Sequence, residues 1–217
     1  KINFYYVSRP QKWQIKIFNI LGVSKKKLID SSKYKHIFAD KIICIDHPWY
    51  YKGYIQNEVK KIPKWVILIN RKIFLNKSVK LNSFERVFLD RSTSKFNHCK
   101  IFNQSSLNNW LKKKGFGIYT PEKLSQEKQI YLFKNASTIV GAHGAALTNI
   151  IFCKPGTKVI EIIPADHPNK KCERISKILK LKYFRIKTKP DNSDKNFPFK
   201  IHLNKRHLKI MNDKINL

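Results

Sequence analysis

His143 stands in a turn made almost wholly of glycine and alanine, Gly141-Ala142-His143-Gly144-Ala145-Ala146. Small side chains there let backbone N–H groups approach a ligand closely. A short β-branched strand, Thr138-Ile139-Val140, leads into the turn, and a helix with Thr148 and Asn149 near its start leads out. The first amides of a helix lack internal acceptors and sit at the positive end of its dipole, so this is a place to hold phosphate. A histidine adds a group that donates, accepts or carries charge near neutral pH. Small residues equally permit tight strand–helix packing, and the turn is neither GxGxxG nor a P-loop. The turn alone therefore leaves both readings open.

Other residues gain meaning from the elements that carry them. Strands are expected at Arg86–Asp90, Phe116–Tyr119, Thr138–Val140, Lys158–Ile163 and Tyr183–Ile186. Helices are expected at Ser105–Lys114, from Ser125 to about Lys134, at Ala145–Phe152 and at Cys172–Leu179. The stops are Gly115, Pro121 and Pro155-Gly156. Single helices between strands imply right-handed crossovers and a parallel sheet, an α/β fold. Ligands of such sheets lie beyond the carboxyl ends of the strands. Arg91, Gly141 to Gly144 and the stretch after Glu161 all fall there. An arginine at a strand end can pair with a diphosphate. Glu161 interrupts the apolar run Val-Ile-Glu-Ile-Ile, and a carboxylate so placed needs a partner, such as ribose hydroxyls or a lysine.

The first part of the chain is less regular. Trp13 to Gly22 has helical periodicity and a glycine stop, and Lys41–Ile45 reads as a short buried strand entering the turn Asp46-His47-Pro48. An aromatic-rich loop follows (Trp49, Tyr50, Tyr51, Tyr54), then Val66–Phe74 as strand or helix, and a polar linker from Asn76 to Ser83. After Pro190 the chain is polar, and residues 199–215 suit a terminal strand or helix.

The net charge of +31 raises the question of nucleic acid or anionic membrane as partners. Only seven of the 45 basic residues are arginine, and the lysines are spread along the chain among abundant isoleucine and asparagine. That pattern makes nucleic acid an unlikely partner, while nucleotide-sugars, acidic glycans and peripheral contact with anionic lipid suit it. Cys44, Cys99, Cys153 and Cys172 form no CxxC and no zinc-type spacing, so they read as reduced structural residues and no metal site is expected.

The continuous stretch VGAHGAALTNIIFCKPGTKVIEI, from Val140 to Ile162, resembles the C-terminal motif of glycosyltransferase family 61. The preceding LSQEKQIYLFKNASTIVG resembles the family's glutamine-bearing helix and strand, RVFLDRS its strand ending in arginine, and KIFNQ its basic-x-x-Asn element. The resemblance covers roughly residues 84–187. It departs at Lys100, where the family usually has a second arginine; lysine offers a point charge, not a fork.

The resemblance implies two Rossmann-like halves of GT-B type, with the parallel sheet in the C-terminal half and the N-terminal half incomplete. Residues 1–76 would be a partial acceptor-side domain, 84–190 the nucleotide-sugar domain, and 191–217 a tail packing back on the N-terminal half. Donor binding would fall to Arg91, Lys100, Asn103, Gly141, Gly144, Ala145, Thr148, Asn149 and Glu161, with Gln129 bracing them. Transfer needs a base for the acceptor hydroxyl and positive charge for the departing diphosphate. Asp46 and His47 are the first candidates for the base, with His143 as competitor. No Asp-x-Asp motif appears, so the expected reaction is a metal-independent, inverting transfer from a UDP-linked sugar, without cofactor, to a glycan or other hydroxyl. A catalytically silent sugar-nucleotide module is the alternative. The compartment would be the cytoplasm or inner-membrane face in a bacterium, and the Golgi or ER lumen in a eukaryote.

Overall fold

The computed structural model describes residues 2–44, 62–94, 98–189, 191 and 199–217. The chain forms two compact units, Lys1–Pro48 and Trp49–Leu217.

In the first unit, β1 (Tyr5–Val7) and β2 (Leu28–Asp30) pair in parallel, joined by α1 (Lys12–Ile20) and a short 3₁₀ turn. This is one β–α–β crossover. Asp30 closes it by accepting from the Arg9 and Ser32 backbone amides and the Ser32 hydroxyl. None of residues 2–44 is buried, and Trp13, Phe38 and Ile42 are among the exposed apolar side chains. The buried strand expected at Lys41–Ile45 is not found: residues 41–44 are exposed and belong to no strand. Its apolar run packs against no described element that would supply a ladder. Asp46, His47 and the aromatic loop lie outside the described residues.

The second unit is a five-stranded parallel sheet, β3 (Arg86–Leu89), β4 (Phe116–Tyr119), β5 (Thr138–Ala142), β6 (Lys158–Pro164) and β7 (Lys182–Thr188), in the order β4-β3-β5-β6-β7. Every pairing is parallel. The parallel α/β architecture expected from strand–helix alternation is thus present. Strand boundaries agree with expectation because each strand is a short β-branched or aromatic run ended by a polar or glycine-rich segment.

Helices α3 (Gln104–Lys113) and α6 (Lys205–Asn216) send Leu107, Leu111, Met211 and Ile215 onto one face, against Phe88, Val140, Ile160, Ile162 and Ile186. Side chains alternate along a strand, so Val87, Leu89, Ile139 and Glu161 point to the other face. That side carries α4 (Gln126–Asn135), α5 (Lys171–Leu179) and a 3₁₀ segment, Ala145–Phe152. The Ser125 side chain caps α4 by accepting from the Lys128 amide at 3.3 Å. Gly115 ends α3 with φ +76°, a left-handed conformation that glycine adopts without a Cβ penalty.

Two parts of the chain sit differently from expectation. Residues 64–74, expected with the N-terminal domain, form helix α2 (Lys64–Phe74) and join the second unit. Arg71 of α2 donates to the carbonyls of Ile151 and Cys153, which fastens the helix to the end of the 3₁₀ segment. The C-terminal tail, expected to pack back on the N-terminal half, packs on the sheet of the second unit. Ile201 bridges Ile101, α6 covers β6 and β7, and Lys158 Nζ donates to the Ile215 carbonyl at 2.7 Å. The apolar stripe of α6 needs a cover, and this sheet face supplies it. Among the described residues no helix is long and apolar enough to cross a membrane.

Candidate functional site

The sheet order places the site. Taken in chain order, the five strands stand second, first, third, fourth, fifth, so the winding reverses between β3 and β5. A crevice opens at the carboxyl ends of the two strands flanking such a reversal. Arg91 follows β3, and the His143-Gly144 turn follows β5. The Arg91 guanidinium donates to the His143 carbonyl, tying the two strand ends together.

Gly144 makes that contact possible. Its φ of 167° is ordinary extended backbone, so conformation does not require glycine. Space is the issue: an added Cβ would run into the Arg91 guanidinium, the far end of a flexible side chain. Gly144→Ala is therefore expected to push the guanidinium off the His143 carbonyl at small cost in stability while weakening UDP binding severalfold. UDP affinity equal to that of the parent, measured by calorimetry, would show that Arg91 does not depend on this contact.

Behind the turn lies a buried polar relay. His143 Nδ1 is 2.6 Å from Glu161 Oε1, and both side chains are nearly inaccessible, at 5% and 1% exposure. A carboxylate only accepts, so the imidazole carries its hydrogen on Nδ1 and donates. The Tyr183 hydroxyl donates to the other oxygen, Oε2. Burial pushes the Glu161 carboxyl up. The hydrogen bond and charge of His143, with the Tyr183 and Cys172 side chains, outweigh it and hold the group below its usual range. Burial and the neighbouring carboxylate push the Tyr183 phenol up, so it stays a donor. The partner that Glu161 needs is thus His143 with Tyr183, neither ribose nor lysine.

His143 is engaged through its backbone, through Nδ1 and through its ring face. Its amide donates to the Ile162 carbonyl at 2.9 Å, its carbonyl accepts from Arg91, and its ring packs on His167 at 4.3 Å between centroids. A side chain so enclosed positions the turn.

The other expected donor residues are distributed as follows. Ala145 is exposed and Thr148 half-buried, both on the 3₁₀ segment that opens with Leu147 N–H donating to the Gly144 carbonyl. The segment is 3₁₀, not the α-helix that its length suggested. Asn149 donates to Gln129 Oε1 at 2.8 Å, and Gln129 Nε2 donates to the carbonyls of Pro121 and Leu124. Gln129 is thus a brace, as expected, and Asn149 is what it braces. Gly141 lies in β5, where its missing side chain leaves room for Leu89 and Leu147. Lys100 is half-buried in the loop after β3, where its carbonyl accepts from the Ile201 amide. The Asn103 amide is paired at both ends with the Leu203 backbone, at 2.7 and 3.2 Å, and so anchors the C-terminal tail.

Sequence reasoning missed His98, His167 and Tyr183. Tyr183 shares the face of Glu161, because Glu161 pairs in register with Arg185 two residues further on, and that register is set only in the sheet. The two histidines sit on loops 69 residues apart, with Nε2 atoms 3.1 Å from each other. Burial, joined by the neighbouring histidines, depresses His167 to about 4, and burial lowers His98 in the same direction.

Fold, switch-point site and motif converge on one class. The chain matches the family description Glycosyltransferase 61 over residues 4–160, and it belongs to glycosyltransferase family 61. It is similar to a beta-1,2-xylosyltransferase of Arabidopsis thaliana, 38% identical over 60 residues, or 28% of this chain and 11% of that protein. It is also similar to the xylan glycosyltransferase MUCI21 of Arabidopsis thaliana, 37% identical over 67 residues, 30% of this chain and 14% of that one. A third relative is the beta-1,2-xylosyltransferase RCN11 of Oryza sativa subsp. japonica, 35% identical over 63 residues, 29% of this chain and 12% of that one. The similarity thus spans a small fraction of each of these proteins.

Proposed function

We propose that the second unit holds the diphosphate of a nucleotide-sugar at the β3/β5 switch point, and that the chain serves transfer of that sugar to a hydroxyl acceptor. The observation that carries this reading is Arg91 meeting the His143-Gly144 turn where the winding reverses. A guanidinium has five N–H donors in a fixed fork, and one bond to a carbonyl leaves others for phosphate oxygens. The amides heading the 3₁₀ segment add neutral donors beside it. Together they stabilise the negative charge that develops on the leaving diphosphate.

The relatives named as xylosyltransferases favour a UDP-linked pentose as donor and a polysaccharide as acceptor. We place the reaction in the Golgi or ER lumen, because those relatives are plant proteins. The +31 charge suits an acidic glycan or a peripheral contact with anionic lipid. The acceptor hydroxyl is deprotonated by Asp46 or His47 in an inverting single displacement, with no cofactor and no Mg²⁺ or Mn²⁺ on the diphosphate. Product formation with a panel of donors separates this reading from a silent binding module, which the lysine at position 100 favours.

Arg91→Ala is expected to weaken UDP binding by about 1.5–3 kcal/mol, the range for losing a hydrogen bond to a charged group. Calorimetry on the folded variant measures it. Unchanged affinity would place Arg91 outside the site, and UDP binding that required added Mg²⁺ or Mn²⁺ would end the metal-independent reading.

A further inference from the structure

Two loops at the carboxyl edge of the sheet meet in a cluster that diphosphate binding does not use. His98 and Cys99 come from the loop after β3, and His167 from the loop after β6. Nε2 of His98 and Nε2 of His167 face each other at 3.1 Å. Cys99 Sγ lies 3.9 Å from the same nitrogen of His98, and all three atoms fall within 4.8 Å of one another. These three residue types are ligands for zinc, whose bonds are about 2.0–2.1 Å to nitrogen and about 2.3 Å to sulfur. At a tetrahedral angle those bonds put two nitrogens about 3.3 Å apart and a nitrogen and a sulfur about 3.6 Å apart. The nitrogen–nitrogen separation and the sulfur–nitrogen separation at His98 differ from these by a few tenths of an ångström.

The backbone agrees with such a use. Cys99 has φ +54°, a left-handed conformation that is uncommon for a non-glycine residue and gathers at functional sites. It keeps the thiol fully buried next to the ring of His98. Burial pushes the Cys99 thiol up to about 12, Arg91 acts against that, and the carboxylates of Glu161 and Asp166 act with it; a bound cation would have to offset the burial. Two imidazoles and a thiolate are a borderline-soft set, which selects zinc over magnesium or calcium.

We propose that His98 Nε2, Cys99 Sγ and His167 Nε2 form a zinc-binding site that clamps the loop after β3 to the loop after β6, with a fourth position for water or a ligand. On binding, the Cys99 thiol loses its proton to solvent and the thiolate sulfur bonds the ion. Nδ1 of His167 accepts from the Asn169 amide at 3.2 Å, so the neutral ring carries its hydrogen on Nε2; on binding that hydrogen moves to Nδ1, the bond from Asn169 is given up, and Nε2 is freed for the ion. No oxidation or reduction takes place. The site does not depend on the glycosyltransferase reading, and its test needs no turnover.

The experiment is metal titration of the full chain after removal of metal with a chelator and exhaustive dialysis. Zinc is measured by competition with a chromophoric chelator, and cobalt(II) by its visible and near-ultraviolet absorption. The expected result is one ion per chain, a tetrahedral cobalt spectrum with a thiolate-to-metal band, and a zinc-dependent rise in melting temperature. Cys99→Ser and His167→Ala should each weaken zinc binding on the order of 10²-fold or more, while His202→Ala, at an exposed histidine, should leave it unchanged. A parent chain that takes up no stoichiometric zinc would overturn the proposal, as would Cys99→Ser and His167→Ala binding it as tightly as the parent. Should Cys99→Ser fail to fold, the cobalt spectrum of the parent decides: a bound ion without the thiolate band means that Cys99 is no ligand and the site is wrong.

Discussion

Replacing Glu161 by alanine is expected to lower the unfolding free energy by about 3–5 kcal/mol, the cost of removing one partner from a buried charged pair. The loss is large because Glu161 serves two buried donors at once. Without it, Nδ1–H of His143 and the Tyr183 hydroxyl are left unpaired away from water. Urea denaturation at neutral pH measures the change. Glu161→Gln keeps the volume and one acceptor oxygen, so it should retain part of the stability. The pH dependence gives a second check. The folded carboxyl titrates below its unfolded value of about 4.3. The unfolded state therefore binds the proton first as pH falls. The stabilisation is fully present above the unfolded value and is lost as pH drops through the folded one. Glu161→Gln should flatten that acid limb. A parent-like urea midpoint and acid limb in Glu161→Ala would mean that the relay contributes nothing to stability.

His143→Ala is expected to lower kcat/KM at least tenfold, about 1.4 kcal/mol of transition-state stabilisation, chiefly through a raised KM for the nucleotide-sugar. The imidazole is enclosed between Glu161 and His167, so its effect passes through the turn whose carbonyl receives Arg91. Truncation frees that turn and leaves Glu161 without its donor. His143→Asn offers an amide N–H close to the position of Nδ1–H and should recover more donor affinity than alanine does. The split between the two constants is the deciding readout. An unchanged donor KM with a reduced kcat would mean that the ring acts on the reacting atoms. Full activity in a folded alanine variant would remove the turn from the mechanism.

The strand–helix alternation from Arg86 to Thr188 was legible because each element carries its own period and its own stop signals, which are local. Ser125, Gly115 and Pro121 act within a few residues of themselves. The location of Arg91 and the 143–144 turn at the carboxyl ends of strands followed once the sheet was taken as parallel, since those ends share one edge; that the winding reverses between β3 and β5 came only with the strand order. Family membership was also legible, because the run from Val140 to Ile162 is contiguous. Long-range partnerships were not. That Glu161 binds His143 and Tyr183, that Asn103 anchors Leu203, and that α6 covers β6 and β7 depend on register and on which face each element offers. Residues 41–44 show the limit from the other side, since an apolar run becomes a strand only where another strand completes its hydrogen bonds. The meeting of His98, Cys99 and His167 was hidden most completely, because no spacing in the chain announces a contact made by two loops at one edge of a sheet. The sequence alone determined the alternation of strands and helices from Arg86 to Thr188, the parallel sheet and the family. Tertiary structure decided which polar groups lie buried together, because pairing in a low-dielectric interior is set by spatial neighbours and not by order along the chain.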